Sequence, residues 1–190
     1  MSEQADFSRH LAERLDPLEI APADAAGHSH PAAVLIGLVE RQDGYSVLLT
    51  RRSDALRRHA GQVALPGGRC DAGETVAETA VREAWEEIGL EPRFVTVIGQ
   101  STPSTASSGY HVTPVVGLVA PGFSLSPNPA EVAVIFEAPF DFLMDPQTFQ
   151  EQERDFGQGM RRFFAATHED QLIWGATAKI LIGLREKLYE

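Results

Sequence analysis

Gly68-Arg69-Cys70-Asp71-Ala72-Gly73-Glu74-Thr75-Val76-Ala77-Glu78-Thr79-Ala80-Val81-Arg82-Glu83-Ala84-Trp85-Glu86-Glu87-Ile88-Gly89-Leu90 is the stretch whose reading decides the fold. Thr75 and Glu78 have the T-x-x-E spacing of a capping box, so a helix can start there. Residues 76 to 88 contain no glycine and no proline, and Gly89 stands where a left-handed residue closes a helix. At about 100° per residue, Ala77, Ala80, Val81, Ala84 and Ile88 share one apolar stripe. Glu83, Glu86 and Glu87 form a second stripe along its border, and Glu78, Arg82 and Trp85 cover the remaining side.

Three carboxylates beside a buried face repel one another, and like charges at i,i+4 cost an isolated helix roughly 0.2–0.5 kcal/mol. Arg82, four residues before Glu86, is the local relief. A glutamate-rich helix alone is usually a solvated face. Here the glycine turn, Glu74 at a fixed distance, the cap and Gly89 occur together, and that combination points to a bound cation. Carboxylate oxygens suit Mg²⁺ or Mn²⁺, and Mg²⁺ takes phosphate oxygens as further ligands.

Gly68, five residues, Glu74, seven residues, then Arg82-Glu83-Ala84-Trp85-Glu86-Glu87-Ile88-Gly89-Leu90 resembles the Nudix box of Nudix hydrolases. Every fixed position matches except in size at Ala84, where the pattern carries a larger aliphatic residue. The resemblance implies an α/β fold, the Nudix-type α/β/α sandwich with a mixed central sheet. It also implies metal-assisted hydrolysis of a diphosphate bond. In that scheme Glu83, Glu86 and Glu87 hold Mg²⁺ or Mn²⁺, with the Gly68 carbonyl as a further ligand. Glu74 orients the cluster through Arg82. Glu86 is the expected general base, with Glu131 in a later loop as its rival.

A second motif precedes the box. Residues 51–69 hold Arg51, Arg52, Arg57, Arg58 and Arg69 against the single acid Asp54. Arginine suits phosphate because its planar fork donates two parallel hydrogen bonds. Gly67 and Gly68 let backbone approach a ligand closely. The order Leu48-Leu49-Thr50-x-Arg52-Ser53-x-x-x-Arg57-x-x-x-Gly61-x-x-x-Leu65-Pro66-Gly67-Gly68 resembles the motif upstream of the box in coenzyme A pyrophosphatases of the Nudix superfamily. It departs at Leu65, where the pattern carries Phe. Val112–Gly117, Glu131-Val132 and Ile173–Ala178 are also similar to that subgroup. The resemblance implies coenzyme A or a derivative as substrate, cleaved to 3′,5′-ADP and 4′-phosphopantetheine, with Arg52 and Arg57 on its phosphates. The alternatives are another nucleoside diphosphate derivative such as ADP-ribose, or a Nudix module that binds a nucleotide without cleaving it. The intact glutamates argue against the last.

Composition sets the frame. The 190 residues suit one domain, residues 31–190, preceded by an N-terminal helix and loose segment over 1–30 packed on it. A net charge of −11 argues against general nucleic-acid binding. No apolar run is long enough for a membrane span, and the N-terminus does not read as a signal peptide. The single cysteine, Cys70, fits a reducing, cytoplasmic compartment and needs no catalytic role. The expected partner is a small-molecule substrate, and a homodimer is compatible with the chain.

Along the chain, Ala33–Val39 and Tyr45–Thr50 read as a hairpin turning at Asp43-Gly44. Phe94–Ile98, Val112–Leu118 and Val132–Glu137 read as strands, and Asp141–Leu143 as a short helical turn. Arg161–Thr167 and Gln171–Trp174 read as a second hairpin, and Ala176–Lys187 as the C-terminal helix. Gln100–Gly109 reads as a polar loop. His28-Ser29-His30 reads as a solvated turn rather than a metal pair.

Overall fold

The computed structural model describes residues 3–26, 30–105, 109–155 and 159–190. The first hairpin forms β1 (Pro31–Arg41) and β2 (Gly44–Arg52), antiparallel, with Arg41 opposite Gly44 and Gln42-Asp43 as the turn. Gly44 has φ of 117°, a conformation that side-chain-bearing residues rarely adopt. β1 is the centre of a mixed sheet. It pairs in parallel with β7 (His111–Val119), from Pro31 opposite His111 to Val39 opposite Val119. A parallel pair needs a crossover, and this one includes α2 (Val76–Ile88).

The remaining strands of this sheet are antiparallel to their neighbours. β5 (Val95–Gln100) lies on β7, and β8 (Val132–Pro139) lies on β2. Three short strands are added: β3 (Val63–Ala64) on β2, β4 (Gly67–Arg69) on β1, and β6 (Ser104–Thr105) on β7.

Both faces of the sheet are covered, so β1 reads as a near-continuous apolar run rather than an alternation. Ile36, Leu38, Val47 and Leu49 face one core. There they meet Leu11 and Leu15 of the N-terminal segment, Leu143 of α3 (Phe140–Met144), and Leu181, Leu184 and Leu188 of α4 (Gly175–Tyr189). Ala33, Leu35, Val39 and Leu48 face the other core, closed by Val76, Ala80, Ala84 and Ile88 of α2. Helices on both sides of a mixed sheet make the α/β/α sandwich. Phe7 of α1 (Glu3–Arg14) stacks on Tyr45 with ring centroids 4.2 Å apart. Lys187 Nζ meets Asp16 Oδ1 at 2.8 Å, joining the end of α4 to the segment after α1.

A second, three-stranded antiparallel sheet contains β9 (Gln150–Asp155), β10 (Met160–His168) and β11 (Gln171–Trp174). Glu169-Asp170 makes the β10–β11 turn, with Glu169 at φ of 52°. β9 was not expected. Its sequence, Gln-Glu-Gln-Glu-Arg-Asp, has no apolar residue and is exposed throughout. It is a strand because β10 supplies a complete ladder and Arg162 reaches back to Glu153 at 2.7 Å. Glu151, Glu153 and Asp155 share one face, and a row of like charges blunts an open sheet edge.

The polar loop after β5 also differs from expectation. Gln100 and Ser101 are buried, and Ser104-Thr105 pair with β7. Residues 106–108 of that loop, and residues 28–29 of the His28–His30 turn, lie outside the described residues. Among the described residues no helix is long and apolar enough to cross a membrane.

Candidate active site

α2 begins and ends as its sequence dictates. The Thr75 side chain accepts from the Glu78 N–H at 3.2 Å, and Glu78 Oε2 accepts from the Thr75 N–H at 2.9 Å. Gly89 adopts φ of 71° and its N–H donates to the Trp85 carbonyl at 2.9 Å. The apolar stripe packs on the sheet, and Glu87 goes down with it, only 4% exposed. Glu83 is half-buried and Glu86 exposed. The glutamate stripe therefore runs from the core edge to solvent.

β4 brings the glycines against this stripe. Gly67 and Gly68 pair with Val34 and Ala33 of β1. The Gly67 N–H donates to Glu87 Oε2 at 3.1 Å. A Cβ on Gly68 would lie 2.5 Å from Glu83 Cδ, so the carboxylate occupies the space a side chain would need. From the other side Arg52, the last residue of β2, places Nη1 3.9 Å from Glu87 Oε1. The upstream motif and the glutamate box thus converge on one buried carboxylate.

Arg82 organises the rest. Its Nε and Nη2 donate to the two Glu74 oxygens at 2.7 and 3.0 Å. Its Nη1 donates to Glu83 Oε1 at 2.9 Å and to Glu86 Oε2 at 3.1 Å, and Nη2 also reaches the Arg69 carbonyl at 3.1 Å. Glu74 is held further by the Thr79 hydroxyl at 2.8 Å and the Asp71 N–H at 3.0 Å. Thr79, fully buried on α2, is a part of this network that the sequence reading missed. Helical periodicity could have found it, because at about 100° per residue position 79 falls between Glu83 and Glu86 on the glutamate stripe.

The electrostatics divide the carboxylates. Hydrogen bonds from Arg82 hold Glu74 well below the ordinary range, at about 2, against the opposing effect of burial. Arg82 is raised in turn, chiefly by Glu74. Burial pushes Glu87 up to about 7. The Gly67 N–H and Arg52 oppose that shift, while Glu131 and Glu83 reinforce it. Burial also raises Glu83, against the Arg82 hydrogen bond. The Glu131 backbone carbonyl accepts from the Ser53 N–H at 2.8 Å. Cys70 is buried in the core beneath α2 with its thiol pushed up by burial, the setting of an inert packing cysteine.

Glu74, Arg82, Glu83, Glu86, Glu87, Gly67, Gly68 and Arg52 are all brought together, whereas Arg57 lies exposed in the loop after β2, outside this contact network. Among the described residues no three acidic, His or Cys side chains converge on one point as a ready metal cage. Arg82 draws Glu83 and Glu86 to itself, while Glu87 turns to Gly67. The donor set nonetheless fits a hard divalent cation. It consists of oxygens only, and the Glu83 and Glu87 charges are penalised by burial. Glu86 and Glu87 also lie in a last helical turn that has no basic residue, where the helix dipole disfavours anions.

The NUDIX domain family model matches residues 28–167. The chain belongs to the Nudix family. It is 39% identical over 194 residues to the uncharacterized Nudix hydrolase NudL of Yersinia enterocolitica, covering 99% of each chain. The Nudix hydrolase RenU of M. smegmatis shares 30% identity at a TM-score of 0.52, over 61% of this chain and 74% of that one. A Nudix-family hydrolase from Clostridium perfringens, 17% identical, shares the fold at a TM-score of 0.51 over 84% of this chain and 95% of its own. This Nudix chain is a hydrolase, and Nudix hydrolases in general need divalent metal ions.

Proposed function

We propose that this Nudix hydrolase cleaves the diphosphate bond of coenzyme A, or of a derivative, to 3′,5′-ADP and 4′-phosphopantetheine. The observation that carries the proposal is the meeting of Arg52 and Gly67 on Glu87. It joins the motif of residues 48–68, similar to that of coenzyme A pyrophosphatases, to the catalytic box. Carboxylates suited to holding a divalent cation, with an arginine beside them, match what a diphosphate requires, a positive counter-charge for several anionic oxygens.

In this reading Glu83, Glu86 and Glu87, with the Gly68 carbonyl, hold Mg²⁺ or Mn²⁺. When bound, the ion neutralises diphosphate charge and lowers the pKa of attacking water. Glu86, exposed at the mouth, takes the proton from that water. Glu74 keeps Arg82 in place, and Arg82 keeps Glu83 and Glu86 aligned along the helix. Arg52 and Arg57 donate to the substrate phosphates. The lone, buried Cys70 thiol supports action in the reducing cytoplasm.

The test is a substrate panel with Mg²⁺ or Mn²⁺: coenzyme A, ADP-ribose, a dinucleoside polyphosphate and a deoxynucleoside triphosphate, with products resolved by chromatography. Selective release of 3′,5′-ADP from coenzyme A is expected. Preference for ADP-ribose or another diphosphate would remove coenzyme A as the substrate and leave the glutamate chemistry standing. Ligand binding without turnover would leave a nucleotide-binding module instead.

A further inference from the structure

The N-terminus of α2 carries a polar contact where helices often carry an apolar one. Thr75 is the N-cap, so Glu74 stands just before the cap and Thr79 is the fourth residue of the helix. Two apolar side chains at this pair of positions commonly touch and fix the angle at which the chain enters the helix. Here the Thr79 hydroxyl donates to Glu74 Oε2 at 2.8 Å, spanning the capping box formed by Thr75 and Glu78.

Packing alone does not require that hydroxyl. Thr79 is fully buried, on a helix whose other buried residues include Val76, Ala80 and Ala84. Alanine is a better helix former than threonine, and a hydroxyl taken out of water is costly unless it finds a partner. The partner is a residue of the active site. At about 100° per residue position 79 also falls between Glu83 and Glu86, at the start of the glutamate stripe.

The bond completes the surroundings of Glu74. Oε2 accepts from the Thr79 hydroxyl, from the Asp71 N–H at 3.0 Å and from Arg82 Nη2 at 3.0 Å, while Oε1 accepts from Arg82 Nε at 2.7 Å. Asp71 lies in the turn before the helix and Thr79 within it, so the carboxylate is held from both sides, and the Arg82 fork is held with it. Arg82 Nη1 then reaches Glu83 Oε1 at 2.9 Å and Glu86 Oε2 at 3.1 Å. Among the described residues Glu83 Oε2 and Glu86 Oε1 have no hydrogen-bond donor. The fork fixes one oxygen of each glutamate and leaves the other for a cation.

We propose that Thr79 is a positioning residue for metal binding: its hydroxyl locks Glu74, Glu74 locks Arg82, and Arg82 holds Glu83 and Glu86 with one oxygen each available. The inference rests on the reading in which Glu83, Glu86 and Glu87 hold the ion, and not on the identity of the substrate.

The experiment measures Mn²⁺ affinity, from the electron paramagnetic resonance signal of the free ion, in the wild type, Thr79→Val, Thr79→Ser, Glu74→Gln and the Thr79→Val/Glu74→Gln double variant. Melting temperatures without metal establish that each protein is folded during the titration. Valine keeps the shape and removes the hydroxyl, and serine keeps the hydroxyl; Thr79→Ala replaces Thr79→Val if valine is not tolerated. Thr79→Val is expected to bind Mn²⁺ about tenfold more weakly, the lower end of what the loss of an orienting partner costs a metal site. Thr79→Ser should recover most of that affinity. In the Glu74→Gln background the valine change should add little, because residues of one hydrogen-bonded network are not additive. Affinity in Thr79→Val equal to or tighter than the wild type overturns the inference and leaves Thr79 as a helix staple alone. An equal loss in both backgrounds, or a loss that Thr79→Ser shares in full, overturns it too, since either places the effect in packing. A wild type that binds no Mn²⁺ overturns the metal reading and the inference with it, and that outcome is visible without any variant.

Discussion

The backbone N–H of Gly67 donates to Oε2 of Glu87 at 3.1 Å, across 20 residues of chain. Among the described residues this bond, with Arg52 at 3.9 Å on the other oxygen, is what balances a carboxylate 4% exposed. The imbalance gives the metal-free protein a pH signature. Folded Glu87 keeps its proton up to about 7, whereas the unfolded chain releases it near the ordinary 4.5. Between those values the folded state binds more protons, so stability falls as pH rises through the window. Glu83, also raised, acts with the same sign. Urea midpoints measured from pH 5 to 8 without divalent cations should decline in the wild type and decline less in Glu87→Gln. Saturating Mg²⁺ or Mn²⁺ should restore the wild-type midpoint, because a ligand of the folded state stabilises it. An identical decline in Glu87→Gln without metal would remove Glu87 as the cause.

Glu74 gives the opposite sign in a lower window. With Arg82 holding it at about 2 against the ordinary 4.5, its contribution is complete above 4.5 and is lost as pH falls towards 2. Glu74→Gln keeps the size and removes the charge, so Arg82 loses its main partner and its hold on Glu83 and Glu86 loosens. Turnover should drop about 10–100-fold, the usual effect of a group that orients metal ligands. Acid unfolding of this variant should begin at the same pH or higher, because the Glu74 contribution is already missing from it, and steady-state rates should show the loss in kcat more than in KM.

The two adjacent glycines should fail differently. A Cβ on Gly67 would stand 2.4 Å from the Ala33 carbonyl oxygen and 2.6 Å from Val34 Cα, both backbone atoms of the central strand. Gly67→Ala should lower the melting temperature sharply. At Gly68 the collision is with the Glu83 side chain, which can swing aside. Gly68→Ala should stay folded and lose activity. Thermal melts and rates on the two variants separate the outcomes, and a fully active Gly68→Ala would contradict the site geometry.

Thr75 tests the helix rather than the chemistry. Removing the cap with Thr75→Ala should cost about 1 kcal/mol of stability, read from urea unfolding. Replacement by Ser, which keeps the hydroxyl, should recover most of it.

What could be read from the sequence was what local chemistry controls. The α2 boundaries follow from Thr75, Glu78 and Gly89, and the first hairpin from Asp43-Gly44, since each signal acts within a few residues. β9 could not be read, because its polar residues are held in a ladder by β10 rather than by any preference of their own. β3, β4 and β6 are two or three residues long and exist only through their neighbours. At the site, the spacing of Glu83, Glu86 and Glu87 was visible, but their unequal burial was not. Helical periodicity gives direction around an axis, while the depth of Glu87 is set by how closely Ala80 and Ala84 let α2 approach the sheet. Arg52 and Arg57 looked equivalent in the motif. Position separates them, since Arg52 ends a strand against Glu87 and Arg57 lies out on a loop.

The most direct measurement is coenzyme A turnover by the wild type and by Glu87→Gln, with and without Mg²⁺, followed as release of 3′,5′-ADP. The account predicts product from the wild type only when the metal is present, and none from Glu87→Gln under either condition. Full activity in Glu87→Gln, or wild-type release that ignores the metal, would contradict it.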